Sequence, residues 1–157
     1  MVLVDVEIKR LCKDGMIHPF NTNNLNPSSL DICVGTTAYW ENESGFDNYS
    51  EFYKHTEQKP YGMLPDGVLQ VCTGEFLNLP QNVSAIATLK TSMMRRGLSM
   101  ETIYLDAGFN GRLTLCLKNN SQESLINIHP GMRIASIAFL THNVCENSHR
   151  ELINIDR

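Results

Sequence analysis

Six short runs between residues 30 and 140 alternate apolar with polar side chains: 30–34, 68–71, 83–89, 112–118, 125–128 and 133–140. In RLTLCLK, residues 112–118, the alternation is unbroken. A period of two turns every second side chain to one face, as a half-buried strand requires. Turn signals separate the runs: Asn26-Pro27, Pro65-Asp66-Gly67, Leu79-Pro80, Gly108 to Gly111 and His129-Pro130-Gly131. Many short strands with regular punctuation predict an all-β fold, a mainly antiparallel distorted β-barrel or sandwich with one or two short helices. The first helix is expected over 5–14. There Val6 (or Ile8), Leu11 and Cys12 fall at helical spacing, an Asp can cap the start and Gly15 can stop the end.

A chain of 157 residues can bury a sizeable core and is read as one domain, 1–157. Its net charge of −4 is spread along the sequence, so no basic tail or stripe argues for a nucleic-acid partner. Charged residues interrupt every apolar run of MVLVDVEIKRLCKDG, which is therefore not read as a secretory leader. No stretch approaches the roughly 20 apolar residues of a membrane span, and a cytoplasmic protein without a membrane partner is expected. The five cysteines, Cys12, Cys33, Cys72, Cys116 and Cys145, are odd in number and lack any CxxC pair, which reads as reduced thiols.

Residues 41–60, ENESGFDNYSEFYKHTEQKP, are polar with scattered aromatics and read as a long surface loop with at most a helical turn. TSMMRRG, 91–97, is the second helical candidate. A turn led by hydroxyl residues presents free backbone N–H groups, and Lys90, Arg95 and Arg96 add positive charge, so an anion suits it. The plainer reading is a capped turn with solvated charges. His142, Cys145 and His149 could be three metal ligands, but the spacing is loose and a fourth is missing.

Four stretches, taken in order, resemble the superfamily of dCTP deaminases and trimeric dUTPases. IHPFNTNNLNPSSLDICVG (17–35) is similar to its early PASVDLRLG-type segment, and LKTSMMRRGL (89–98) to its RSSLARLGL motif. LDAGFNGRLTLCLKN (105–119) resembles IDPGFEGHITLELSN, and HPGMRIASIAF (129–139) resembles PGMRIGQLSF. The resemblance implies a homotrimer with active sites between subunits, a deoxynucleotide ligand, and Mg²⁺ carried with the triphosphate.

It also implies roles for particular residues. In the deaminase branch the third stretch carries a glutamate that activates water, and Cys116 stands there instead. A thiol does not shuttle protons as a carboxylate does. Glu101 lies nearby but reads as a solvated turn residue. The His-x-Glu and Pro-Cys-x-x-Cys signature of zinc deaminases is absent. The dUTPase branch tolerates an apolar residue at Cys116 and orients its attacking water with an aspartate that Asp106 matches. Phe109 matches the aromatic that packs on deoxyribose, with Gly111 beside it, and the base is expected against a 103–111 hairpin. Lys90, Thr91, Ser92 and Arg95 match the phosphate-facing motif, with Lys and Thr replacing Arg and Ser. Asp31 matches an aspartate that reaches the metal through water. Ser136 stands where the family carries glutamine, and 141–157 resembles neither family tail. The sequence therefore predicts a dUTPase-like hydrolase converting dUTP to dUMP and pyrophosphate. An inactive nucleotide- or protein-binding homologue and a dCTP deaminase with a rearranged site are the alternatives.

Overall fold

A computed structural model describes residues 1–147. Its elements, in order, are α1 (Asp5–Lys13), β1 (Ile17–His18), β2 (Leu30–Asn42), β3 (Gly45–Asn48), β4 (Tyr61–Met63), β5 (Val68–Thr73), β6 (Phe76–Asn78) and β7 (Val83–Leu89). There follow α2 (Thr91–Met94), β8 (Leu98–Met100), β9 (Ile103–Leu105), β10 (Asn110–Gly111), β11 (Thr114–Asn119), β12 (Ile126–Ile128) and β13 (Arg133–Thr141). The fold is mostly antiparallel β, as the alternation predicts. The main strand order is β8-β11-β5-β2-β13-β7-β9, with β3 beside β2.

Strand β2 joins the two halves of this path. Residues Leu30 to Cys33 pair with β13, whereas Val34 and Ala38 to Trp40 pair with β5. The change is made at a register shift: Val34 faces Thr73, but Ala38 already faces Val71. Gly35 sits inside it. A Cβ there would lie 2.7 Å from the Thr73 carbonyl oxygen and 2.8 Å from that of Cys72, so only glycine lets the two backbones approach this closely.

The core follows from the alternation. Leu69 and Val71 of β5, Leu115 and Leu117 of β11, and Ile134, Ile137 and Phe139 of β13 are all buried. Helix α1 docks through Ile8 and Cys12, and Val4 rather than an aspartate stands at its N-cap. Its leading carboxylates still serve: Glu7 Oε2 accepts from the Val4 N–H and Asp5 Oδ1 from the Val6 N–H. Buried Asn119 donates to the Met63 and Ser124 carbonyls and accepts from the Ser121 N–H, which fixes the turn after β11 without an unmet polar group.

Two sequence expectations change. Segment 41–60 is not a bare loop, because β2 runs on to Asn42 and turns back into β3. Beyond β3, Tyr49, Phe52, His55 and Tyr61 pack ring against ring at 5.6–6.3 Å between centroids. His55 Nδ1–H donates to the Lys59 carbonyl at 3.1 Å, leaving Nε2 to accept from the Tyr49 hydroxyl at 2.9 Å. Aromatic burial thus tethers what polar composition alone reads as loop. The stretch 103–111 is not a hairpin closed on itself either. β9 pairs with β7, while β10 pairs with β6.

Candidate functional site

Between β9 and β10 the chain reverses at Asp106–Phe109, where the Phe109 N–H donates to the Asp106 carbonyl at 3.2 Å. Gly108, with φ of +81°, takes the third position, which in this turn requires positive φ. The turn leaves Asp106 exposed and Phe109 half-buried against the core. Together with Ile103, Arg112 and Thr114 they line a shallow pocket of about 290 Å³, in which Asp106 is the only carboxylate among the described residues. Beside it, a Cβ on Gly111 would sit 3.6 Å from Phe109 Cζ, in ordinary van der Waals contact, so the ring lies directly against this stretch of backbone. The structure therefore brings Asp106, Phe109 and Gly111 together. Cys116, half-buried on β11 and opposite Gln70, is not among the residues lining this pocket.

The 90–95 group lies elsewhere. Leu105 faces Ala85 across the β7–β9 pair, so Asp106 falls level with Ser84, six residues before Lys90. At about 3.3 Å per strand residue the two groups stand about 20 Å apart along the sheet. One copy of the chain does not bring the expected phosphate residues to Asp106. In the turn itself Thr91, Ser92, Arg95 and Arg96 are exposed, and Met93 is the buried anchor. Lys90, not a hydroxyl residue, stands at the N-cap, and its side chain makes no capping bond.

Lys90 is held instead by Asp31. Its ammonium donates to Asp31 Oδ2 at 2.6 Å, while Asp31 Oδ1 accepts from Asn26 Nδ2 and from Ser136 Oγ, both at 2.9 Å. The Arg133 guanidinium approaches Oδ2 to 3.9 Å. Strand register produces this cluster: Ser136 faces Asp31 on one side of β13 and Thr88 on the other, two residues before Lys90. Burial alone would raise the Asp31 carboxyl, but the hydrogen bonds from Lys90, Ser136 and Asn26 outweigh it and hold the group below its ordinary range. Asp31 is 3% exposed, and both its oxygens are engaged by these donors. Among the described residues no group of three His, Cys, Asp or Glu side chains is placed to hold an ion. His142 Nε2 lies 2.8 Å from Ser84 Oγ, and His149 falls outside the described residues.

A larger cleft of about 580 Å³ opens at the β2 register shift, away from Asp106, and shares only Arg112 with the smaller one. Its lining includes Glu75, which sequence reading missed. Glu75 is 6% exposed, and both its oxygens share the single N–H of Cys33, at 2.9 and 3.1 Å. Burial pushes this carboxyl up, and burial with the nearby Glu75 charge pushes the Cys33 thiol up to about 11. No pattern in the sequence marks a glutamate that follows a glycine as buried. Among the described residues no helix is long and apolar enough to cross a membrane.

A family model described as dCTP deaminase-like matches residues 2–142. The dCTP deaminase of Thermococcus kodakarensis is 33% identical over 140 residues, which cover 89% of this chain and 83% of that one. The dUMP-forming dCTP deaminase of Aquifex aeolicus is 32% identical over 146 residues, covering 88% and 81%. Among solved structures, the 2′-deoxycytidine 5′-triphosphate deaminase of Agrobacterium tumefaciens superposes with a TM-score of 0.75 at 20% identity. That match covers 98% of this chain, which spans about half (51%) of the Agrobacterium chain. A mutant dUTPase from phage phi11 of S. aureus gives a TM-score of 0.56 at 16% identity, over 84% and 88% of the two chains.

Proposed function

The chain belongs to the dCTP deaminase-like family, and on that premise we propose that it binds a deoxynucleoside triphosphate and hydrolyses dUTP to dUMP and pyrophosphate. The observation that carries this reading is the pocket in which, among the described residues, Asp106 is the only carboxylate and Phe109 offers an aromatic side chain. Phe109 packs on the deoxyribose, where a 2′-hydroxyl would be crowded. Asp106 accepts a hydrogen bond from water and aims it at the α-phosphorus. As the new P–O bond forms, the bond to the bridging oxygen breaks, pyrophosphate leaves, and the water proton passes to the Asp106 carboxylate. Arg95, with the Thr91 and Ser92 hydroxyls, holds the phosphates. Because those residues lie about 20 Å from Asp106 along the sheet, the phosphate group is supplied by a neighbouring copy, and the working unit is a homotrimer with sites between subunits. Mg²⁺ belongs to this reading as part of the magnesium–triphosphate substrate, and no residue of the chain is assigned to it.

A second reading, a homologue that binds nucleotide without turning it over, is favoured by two positions. Cys116 replaces the glutamate of the deaminase branch, and the Ser136 hydroxyl is engaged by Asp31 instead of facing a ligand. The test is a product assay with each deoxynucleoside triphosphate and Mg²⁺, followed by ion-exchange separation. Appearance of dUMP from dUTP, lost in Asp106→Asn, supports the hydrolase. Uracil nucleotide from dCTP establishes deamination by another group. Recovery of every substrate unchanged overturns both enzyme readings and leaves the binding homologue.

A further inference from the structure

We propose that Asp31 is a positioning residue that anchors the 90–97 turn through Lys90, and that it makes no contact with the metal of the nucleotide. Three neighbouring strands carry the anchor. β2 contributes Asp31, β13 contributes Ser136 directly opposite, and β7 leads straight into Lys90, whose own N–H is held by the Ile134 carbonyl of β13 at 3.1 Å. All the short contacts point inward. Asn26 and Ser136 fill the acceptor sites of Oδ1, and Lys90 occupies Oδ2 with Arg133 behind it, in a carboxylate that is 3% exposed. These three donors take three of the roughly four acceptor sites of the carboxylate, and burial with the Arg133 guanidinium at 3.9 Å keeps a bridging water from the fourth.

The consequence for Lys90 is equally specific. An ammonium is a compact charge that one carboxylate oxygen can match, whereas an arginine fork would need two. With its charge balanced at 2.6 Å by Asp31, Lys90 is removed from phosphate binding. The cations left on the open side of the turn are Arg95 and Arg96, which are exposed and form no ion pair among the described residues. The Lys90 carbonyl accepts from the Met93 and Met94 N–H groups, so a shift of Lys90 carries the whole turn with it. Ser136, which departs from the glutamine of the resembling motif, becomes part of the anchor. The phosphate-binding duty of the turn rests on the reading above, but the anchoring does not.

The experiment is a double-mutant cycle of Asp31→Asn and Lys90→Met with two readouts: amide hydrogen exchange, and calorimetric titration with α,β-imido-dUTP in Mg²⁺ and in EDTA. Asp31→Asn is expected to speed exchange at Met93 to Gly97 by about tenfold and leave α1 unchanged. Nucleotide binding is expected to weaken by about tenfold to the same degree with and without Mg²⁺, and the double variant should be no worse than the weaker single one. Unchanged exchange in the turn, losses that add, or a loss confined to Mg²⁺ would each overturn the proposal. If the protein binds no deoxynucleotide, the proposed function falls and the exchange readout alone decides the anchor. Should Asp31→Asn fail to fold, Ser136→Ala removes one donor, keeps the charge, and is expected to speed the same amides by about threefold, with no change counting against the anchor.

Discussion

The two ends of the β7–β9 pair are built on opposite terms. At the Lys90 end, a buried carboxylate meets three donors and a second cation, all from one chain. At the Asp106 end, the carboxylate is exposed on a type II turn beside a half-buried ring and a pocket of about 290 Å³. The closed end is preorganised, with the Lys90 ammonium and both Asp31 oxygens already engaged inside the chain. The open end keeps its acidic group available and relies on something else to complete the site.

The largest effect expected on this contrast is at the open end. Asp106→Asn should lower the rate of dUTP hydrolysis by about 10³-fold, within the usual range for a positioned base, while thermal unfolding is unmoved; steady-state kinetics and a melting curve read both. At the closed end the order reverses. Asp31→Ala leaves the Lys90 ammonium beside a hole and should cost about 2–3 kcal/mol in urea unfolding, at the low end for a broken buried pair because Lys90 can turn partly to solvent.

Acid sharpens the comparison further. Asp31 is held below its ordinary range, so its contribution is complete above the unfolded value near about 4 and is lost as pH falls through the folded value. Glu75 is shifted upward by burial, so its linkage has the opposite sign: the unfavourable burial of its charge is relieved as pH falls through its raised value. The stability gap between wild type and Asp31→Asn should therefore narrow below about pH 4, whereas the gap to Glu75→Gln should change at higher pH and in the other direction. Melting curves between pH 3 and 7 test both signs. The smallest effect is expected at Cys116. Cys116→Val exchanges one small hydrophobe for another on a half-buried strand position and should alter stability by less than about 1 kcal/mol and dUTP turnover by less than about twofold.

Wherever a run was long enough to show its period, the fold was legible. The run 83–89 coincides with strand β7, and 112–118 and 133–140 match β11 and β13 to within a residue or two. Strands of two or three residues, such as β1, β6, β9 and β10, cannot display a period, and only tertiary pairing defines them. The alternating run stops at residue 34, and the continuation of β2 through Gly35 does not show in the pattern, because the glycine there serves a close backbone approach. In the site, Asp106 and Phe109 could be matched one by one to a motif. The Asp31–Lys90 pair could not, since 59 residues separate its members and only the β2-β13-β7 order brings them together.

The separation of Asp106 from the 90–95 turn has a genetic corollary. In the proposed ring each site draws its acid from one copy and its phosphate grip from the next, so two defective alleles can repair one another. Subunits carrying Asp106→Asn and subunits carrying Arg95→Ala would each be silent alone. Unfolded together and reassembled in equal amounts, they would place an intact Asp106 beside an intact Arg95 in about a quarter of sites.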